Sequence, residues 1–133
     1  MRKLMILGAG IYQVPLIRKA KELGFYTIVV SYAGNYPGFA LADKVYTLNT
    51  TDSDAILAAA RQENICGICT TGTDVAVGTL GKICDTLGLC GISSKAAEIL
   101  TGKAKMKEMF VEGGVRTAPF RKIYSLADAE DAF

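Results

Sequence analysis

Three stretches of this chain carry groups suited to chemistry. Gly8-Ala9-Gly10-Ile11-Tyr12-Gln13 begins like a nucleotide-binding glycine loop. Glycines let the backbone turn tightly and let a ligand approach it, and the helix that follows offers N–H groups to an anion. Two features argue against a dinucleotide. Gln13 replaces the third glycine of that fingerprint, and Ser31-Tyr32 stands where an acidic residue would hold ribose hydroxyls. A small substrate bearing a phosphate or carboxylate is the expected partner, beside the plainer account of a tight turn. Thr70-Thr71-Gly72-Thr73-Asp74 offers hydroxyls and a carboxylate, although Thr73 or Asp74 can equally cap the next helix. The third stretch is the basic run Lys103, Lys105, Lys107. A compact ammonium there suits a polyphosphate, and a solvated helix face is the competing account.

The chain contains no histidine, which removes the commonest general base and metal ligand together. A His-centred triad and a His-ligated zinc are excluded within it. No residue is assigned a catalytic or metal-binding role. Cys66-Gly67-Ile68-Cys69 has redox or metal-ligand spacing. It lies in an apolar run that reads as a strand, where residues three apart point to opposite faces. The pair is expected to be buried and structural, and free thiols fit a reducing, cytoplasmic setting.

These residues need a scaffold, and the alternation of elements supplies it. Lys3 to Leu7 reads as a first strand and Ile11 to Leu23 as a helix stopped by Gly24. Strands follow at Tyr26 to Ser31, Lys44 to Leu48, Ile65 to Thr70 and Leu89 to Ile92. A helix capped by Thr51 or Asp52 and another opened by Asp74 separate the last three. Alternation of this kind predicts an α/β fold: an open parallel Rossmann-like sheet, order 3-2-1-4-5, with helices on both faces. Helices at Lys95 to Leu100, Lys103 to Val111 and from Leu126 form a short helical extension. Ligands bind such sheets beyond the carboxyl ends of the strands, where the order reverses. The loops at Gly8 to Gln13 and Thr70 to Asp74 meet there. The expected division is residues 1–93 and 94–133.

Half of the 133 residues are hydrophobic and the net charge is +2. That balance fits a soluble domain and offers no basic field for nucleic acid or a membrane surface. No apolar run reaches the roughly 18 residues a bilayer span needs.

The strongest pattern lies after the fifth expected strand. Gly91-Ile92-Ser93-Ser94-Lys95-Ala96-Ala97 leads into Thr101-Gly102-Lys103, and Gly114-Val115-Arg116-Thr117-Ala118-Pro119 follows. This ordered set resembles the ATP-grasp superfamily, which includes carbamoyl-phosphate synthase large subunit, biotin carboxylase and carboxylate–amine ligases. Gly102 stands where that family usually has aspartate. The resemblance spans the chain and implies a pre-ATP-grasp domain followed by the start of an ATP-grasp domain. It implies that Lys103 contacts ATP phosphate. It also implies that Gly10, Ile11, Gln13, Thr71 and Asp74 hold the non-nucleotide substrate. The parent would be a ligase that uses ATP and Mg2+ to activate a carboxylate as an acyl phosphate for attack by an amine. Its magnesium ligands would lie outside this chain, which is read as a cut piece or a split subunit. Alone it is expected to be inactive and to bind ATP poorly. Its partners would be the small substrate, the rest of the ligase and, in one arrangement, a second copy as a homodimer. An NAD(P)-binding oxidoreductase domain and a non-catalytic binding or dimerisation module are the alternatives.

Overall fold

A computed structural model of the chain describes residues 1–130. Two compact units are present, Met1–Glu98 and Ile99–Phe133. The division falls inside a helix, Ser94–Thr101.

The first unit is a parallel sheet of β1 (Lys3–Leu7), β2 (Tyr26–Ser31), β3 (Lys44–Thr47) and β4 (Gly67–Cys69), ordered β3-β2-β1-β4. In the register of β1, Met5 sits opposite Ile28 on one side and Ile68 on the other. Side chains alternate across a strand, and both faces are buried. Met5, Leu7, Ile28 and Val30 pack on Ile56, Ala60, Leu80 and Ile83 of α2 (Ser53–Glu63) and α3 (Val77–Leu87). On the opposite face Ile6 and Val29 pack on Ile17 and Ala20 of α1 (Val14–Glu22). Each fully buried Met, Leu, Ile or Val among these contributes about 1.5–3 kcal/mol. This is the expected α/β sheet with helices on both faces.

The helices start where local chemistry allows. Asp52 caps α2 by accepting from the Ala55 N–H at 3.1 Å. Pro15 in the first turn of α1 suits a position whose N–H is an orphan in any helix. Residues 11–13 form a turn ahead of α1, so the helix begins at Val14 rather than Ile11.

One expected element is absent. Leu89 to Ile92 joins no ladder among the described residues. The Leu89 N–H is spent on the Cys84 carbonyl at 3.0 Å, and a Cβ at Gly91 would lie 2.6 Å from Cys84 Sγ. The segment wraps the end of α3 instead of extending the sheet. The expected burial of the Cys66 and Cys69 pair holds only in part. All four are free, with Cys84 buried and Cys69 half-buried, but Cys66 and Cys90 are exposed. Burial pushes the Cys69 thiol up to about 11, so it is inert at neutral pH.

α4 (Ser94–Thr101) runs across the division and leads through Gly102 to α5 (Lys103–Glu112) of the second unit, and α6 (Leu126–Glu130) closes the described chain. The last three residues of the final expected helix lie outside the described residues. Pro119 to Tyr124 forms no strand. No helix is long and apolar enough to cross a membrane among the described residues.

Glu63 ties the amino ends of the sheet together. Its buried carboxylate accepts from Lys3 at 2.9 Å, from Tyr46 at 2.6 Å and from Lys44. The Lys44 ammonium, the Tyr46 hydroxyl and then Lys3 hold its pKa down at about 2, against an ordinary 4.5. A carboxylate whose folded pKa is depressed contributes stability above its unfolded pKa and loses it as pH falls towards the folded one. The loss therefore runs from about pH 4.5 down to about pH 2. Glu63→Gln is expected to lower stability at neutral pH by about 1–3 kcal/mol and to flatten that acid limb. Urea unfolding at pH 7 and pH 3 measures both, and an unchanged neutral midpoint would contradict the assignment.

Candidate functional site

The first candidate site lies at the carboxyl ends of β1 and β4, the place where connections leave the sheet in opposite directions. Gly8 leaves β1 at φ +98°, a left-handed conformation that favours glycine, while its N–H continues the ladder to the Val30 carbonyl at 2.7 Å. The turn folds back over its own glutamine. A Cβ at Gly8 would sit 2.9 Å from Gln13 Cδ, and one at Gly10 would sit 3.2 Å from Gln13 Oε1. Gln13 is buried, at 6% exposure, and its side-chain amide donates to the carbonyl of Thr71.

Two further contacts lock the loops. Thr70 donates its hydroxyl to the Leu7 carbonyl at 2.7 Å. Gly72, at φ +65°, packs so closely on Tyr12 that a Cβ would meet the Tyr12 Cβ at 2.6 Å. The loop after β2 closes against the same turn through Gly38, whose N–H donates to the Ala9 carbonyl at 2.9 Å.

The structure thus brings the residues of the two expected loops together. Gly10 and Gln13 form the inner wall, whereas Ile11, Thr71 and Asp74 are exposed on the rim. Ile11 and Tyr12 are each 72% exposed, which is unusual for large side chains in a turn and leaves their faces available to a ligand. Asp74 precedes α3 by a turn and does not open it. The helix begins at Val77 with Ala76 as its cap residue and no side-chain cap, and the Asp74 carbonyl accepts from the Val77 N–H at 3.2 Å. One contributor lay outside the two expected loops: Gly38, which the sequence marks only as part of a glycine- and proline-bearing loop.

The geometry disfavours a dinucleotide. The space that the glycines open is filled by the Gln13 side chain, where a pyrophosphate would otherwise approach the backbone.

The second candidate site belongs to the second unit. Lys103 opens α5, and a cavity of about 330 Å³ is lined there by Lys103, Lys107, Phe120, Arg121, Lys122 and Tyr124 among others. Four cations beside two aromatic rings suit a ligand with an anionic tail and a planar head. Lys122 is ion-paired with Glu108. Gly102 is the cap residue of α5 with no side-chain bond, so the aspartate usual in the resembling family would supply a cap that is missing here.

Comparison with known proteins fits this arrangement. No family model matches the chain. The formate-dependent phosphoribosylglycinamide formyltransferase of Wolinella succinogenes is 30% identical over 132 residues, 98% of this chain and 34% of that protein. The enzyme of the same name from Haemophilus ducreyi is 26% identical over 131 residues, 98% of this chain and 33% of that protein. A solved phosphoribosylglycinamide synthetase from Anaerococcus prevotii superposes with a TM-score of 0.84 at 32% identity, over 98% of this chain and 34% of that one. The chain matches the N-terminal third of these ATP-grasp enzymes. An N5-carboxyaminoimidazole ribonucleotide synthetase from Staphylococcus aureus, solved with ADP, shares the ATP-grasp fold at TM-score 0.81 and 17% identity, over 98% of this chain and 34% of that one. This chain spans about a third of the length of these ATP-grasp relatives.

The glycine turn gives a direct test of the first site. Gly8→Ala must place a side chain both at positive φ and against Gln13. Gly24, at φ +78°, has nothing within 4 Å of the point where a Cβ would lie, so Gly24→Ala suffers the backbone strain alone. Gly24→Ala is expected to cost about 1 kcal/mol and Gly8→Ala about 2–3 kcal/mol. Equal unfolding midpoints for the two variants would show that the glutamine does not fill the turn.

Proposed function

We propose that this chain is the substrate-holding and nucleotide-entry part of an ATP-dependent enzyme that activates a carboxylate for transfer to an amine. The observation that carries the reading is the pairing, within one superfamily sequence, of a cationic cleft at Lys103 with a loop crevice at the carboxyl ends of β1 and β4. Residues 1–93 form the pre-ATP-grasp domain in this reading, and 94–133 begin the ATP-grasp domain.

The relatives narrow the chemistry. Their name describes a formyl group derived from formate and placed on phosphoribosylglycinamide. A carboxylate oxygen is a poor leaving group, and phosphorylation converts it to a good one. This favours a carboxylate–amine parent over one like carbamoyl-phosphate synthase.

Within the second unit, Lys103 and Arg121 would hold the phosphates of ATP, with Phe120 and Tyr124 as the apolar wall. ATP with Mg2+ supplies the phosphoryl group when bound. Lys103 lies on the first turn of α5, so its ammonium and the helix N–H groups act on the same anion. In the first unit, Ile11, Thr71 and Asp74 would contact the small substrate. Gln13 holds Gly10 and Thr71 in place through its bond to the Thr71 carbonyl. Positioning of this sort is the main protein contribution to phosphoryl transfer.

ATP titrated at millimolar concentration into isotope-labelled chain, with amide shifts recorded, tests the nucleotide cleft. Shifts are expected at Lys103 to Lys107 and Phe120 to Lys122. Lys103→Met is expected to weaken the response about tenfold, the equivalent of one charge-assisted bond. Absence of any shift at these residues in the wild-type chain, or no effect of Lys103→Met, would remove the assignment.

A further inference from the structure

Two lysines of α5 line the same cleft, one turn apart, but they are differently placed. Lys103 is exposed, whereas Lys107 is half-buried. Lys107 donates to the Ala118 carbonyl at 2.8 Å and to the Thr117 hydroxyl, and its ammonium lies 5.5 Å from the centre of the Phe120 ring. An ammonium has three donors. Two are spent on the segment that carries Phe120, and the ring face occupies a further side of the charge.

The segment also meets α5 through the Val115 N–H, which donates to the Phe110 carbonyl at 2.7 Å, and through the Lys122–Glu108 ion pair, but Lys107 is the tie at Thr117 and Ala118. Residues 115–124 form no helix or strand, and no described residue of the second unit is buried. Yet Phe120, Arg121, Lys122, Ile123 and Tyr124 make up the far wall of the cavity. A wall without ladder or core must be positioned by side-chain bonds.

We propose that Lys107 is a positioning residue: it fixes the Thr117–Phe120 segment against α5 and so shapes the nucleotide cleft, without itself binding phosphate. The proposal rests on the cleft being a nucleotide site, as argued above, for its functional meaning. Its structural half stands independently. A guanidinium keeps the charge, offers several N–H donors and stacks on aromatic rings, so of the other side chains arginine is the one able to serve Thr117, Ala118 and Phe120 together.

Hydrogen exchange and amide shifts of the full 133-residue chain test this, with and without ATP. In ligand-free Lys107→Met, amides from Thr117 to Phe120 are expected to exchange at least threefold faster, while those of β1 and β2 stay unchanged as an internal control for folding. Its ATP response is expected to weaken by roughly threefold to tenfold, the scale of one net hydrogen bond. Lys107→Arg is expected to restore both. Thr117→Val removes only the acceptor hydroxyl and is expected to loosen the segment partly, which keeps the test open if Lys107→Met unfolds α5. Unchanged exchange in both Lys107→Met and Thr117→Val overturns the proposal. So does loss of the ATP response in Lys107→Met with exchange unaltered, because that marks a direct phosphate ligand. If ATP shifts nothing in the wild-type chain, the nucleotide reading fails, and the ligand-free exchange rates still decide whether Lys107 holds the segment.

Discussion

A buried carboxamide cannot be left without a partner, and at Gln13 that requirement shapes the first unit's ligand-facing end. The side chain is sealed under the turn after β1, so its N–H must find an acceptor within reach. The Thr71 carbonyl, at the end of β4, is that acceptor. The bond joins two loops whose positions in the chain are 58 residues apart. Gly8 and Gly10 are small because the glutamine needs the room, and Gly72 is small because Tyr12 crosses it. Remove the amide, and the crevice loses the tie that sets its two sides at a defined distance.

Much of the scaffold was legible because the signals were local and agreed with one another. The β-branched run at Tyr26 to Ser31, the Asp52 cap and the strand–helix alternation each point to the element observed. The departures occur where an element needs a partner that local sequence does not reveal. Leu89 to Ile92 has strand-like residues, but its leading N–H is claimed by α3. Pro119 to Tyr124 reads as extended, yet it joins no strand among the described residues, and Lys107 bonds the two residues just before it, Thr117 and Ala118. The helix after β4 starts three residues later than Asp74 suggested, because no side chain of that loop caps it.

The candidate site was legible in part for the same reason. Which loops meet follows from strand order, and that followed from the alternation of elements. What each residue does there did not follow. Gln13 reads as a missing glycine from spacing alone, whereas its burial makes it the tie between loops. Lys107 reads as one more solvated lysine among three, and only its bonds to Thr117 and Ala118 distinguish it from Lys103.

The Glu63 cluster holds the amino end of the sheet, joining the first residue of β1 to the first of β3. The loops at the carboxyl ends of β1 and β4 lie at the other end of the sheet, roughly 13 Å away along β1 at about 3.3 Å per residue. On the proposed function, cohesion and recognition fall at opposite ends of a short sheet. Drift at the exposed positions Ile11, Tyr12, Thr71 and Asp74 would then retune which small molecule is accepted while the carboxylate clasp stays intact. One ancestral sheet could in this way be inherited by enzymes of unlike substrate without its folding being renegotiated each time.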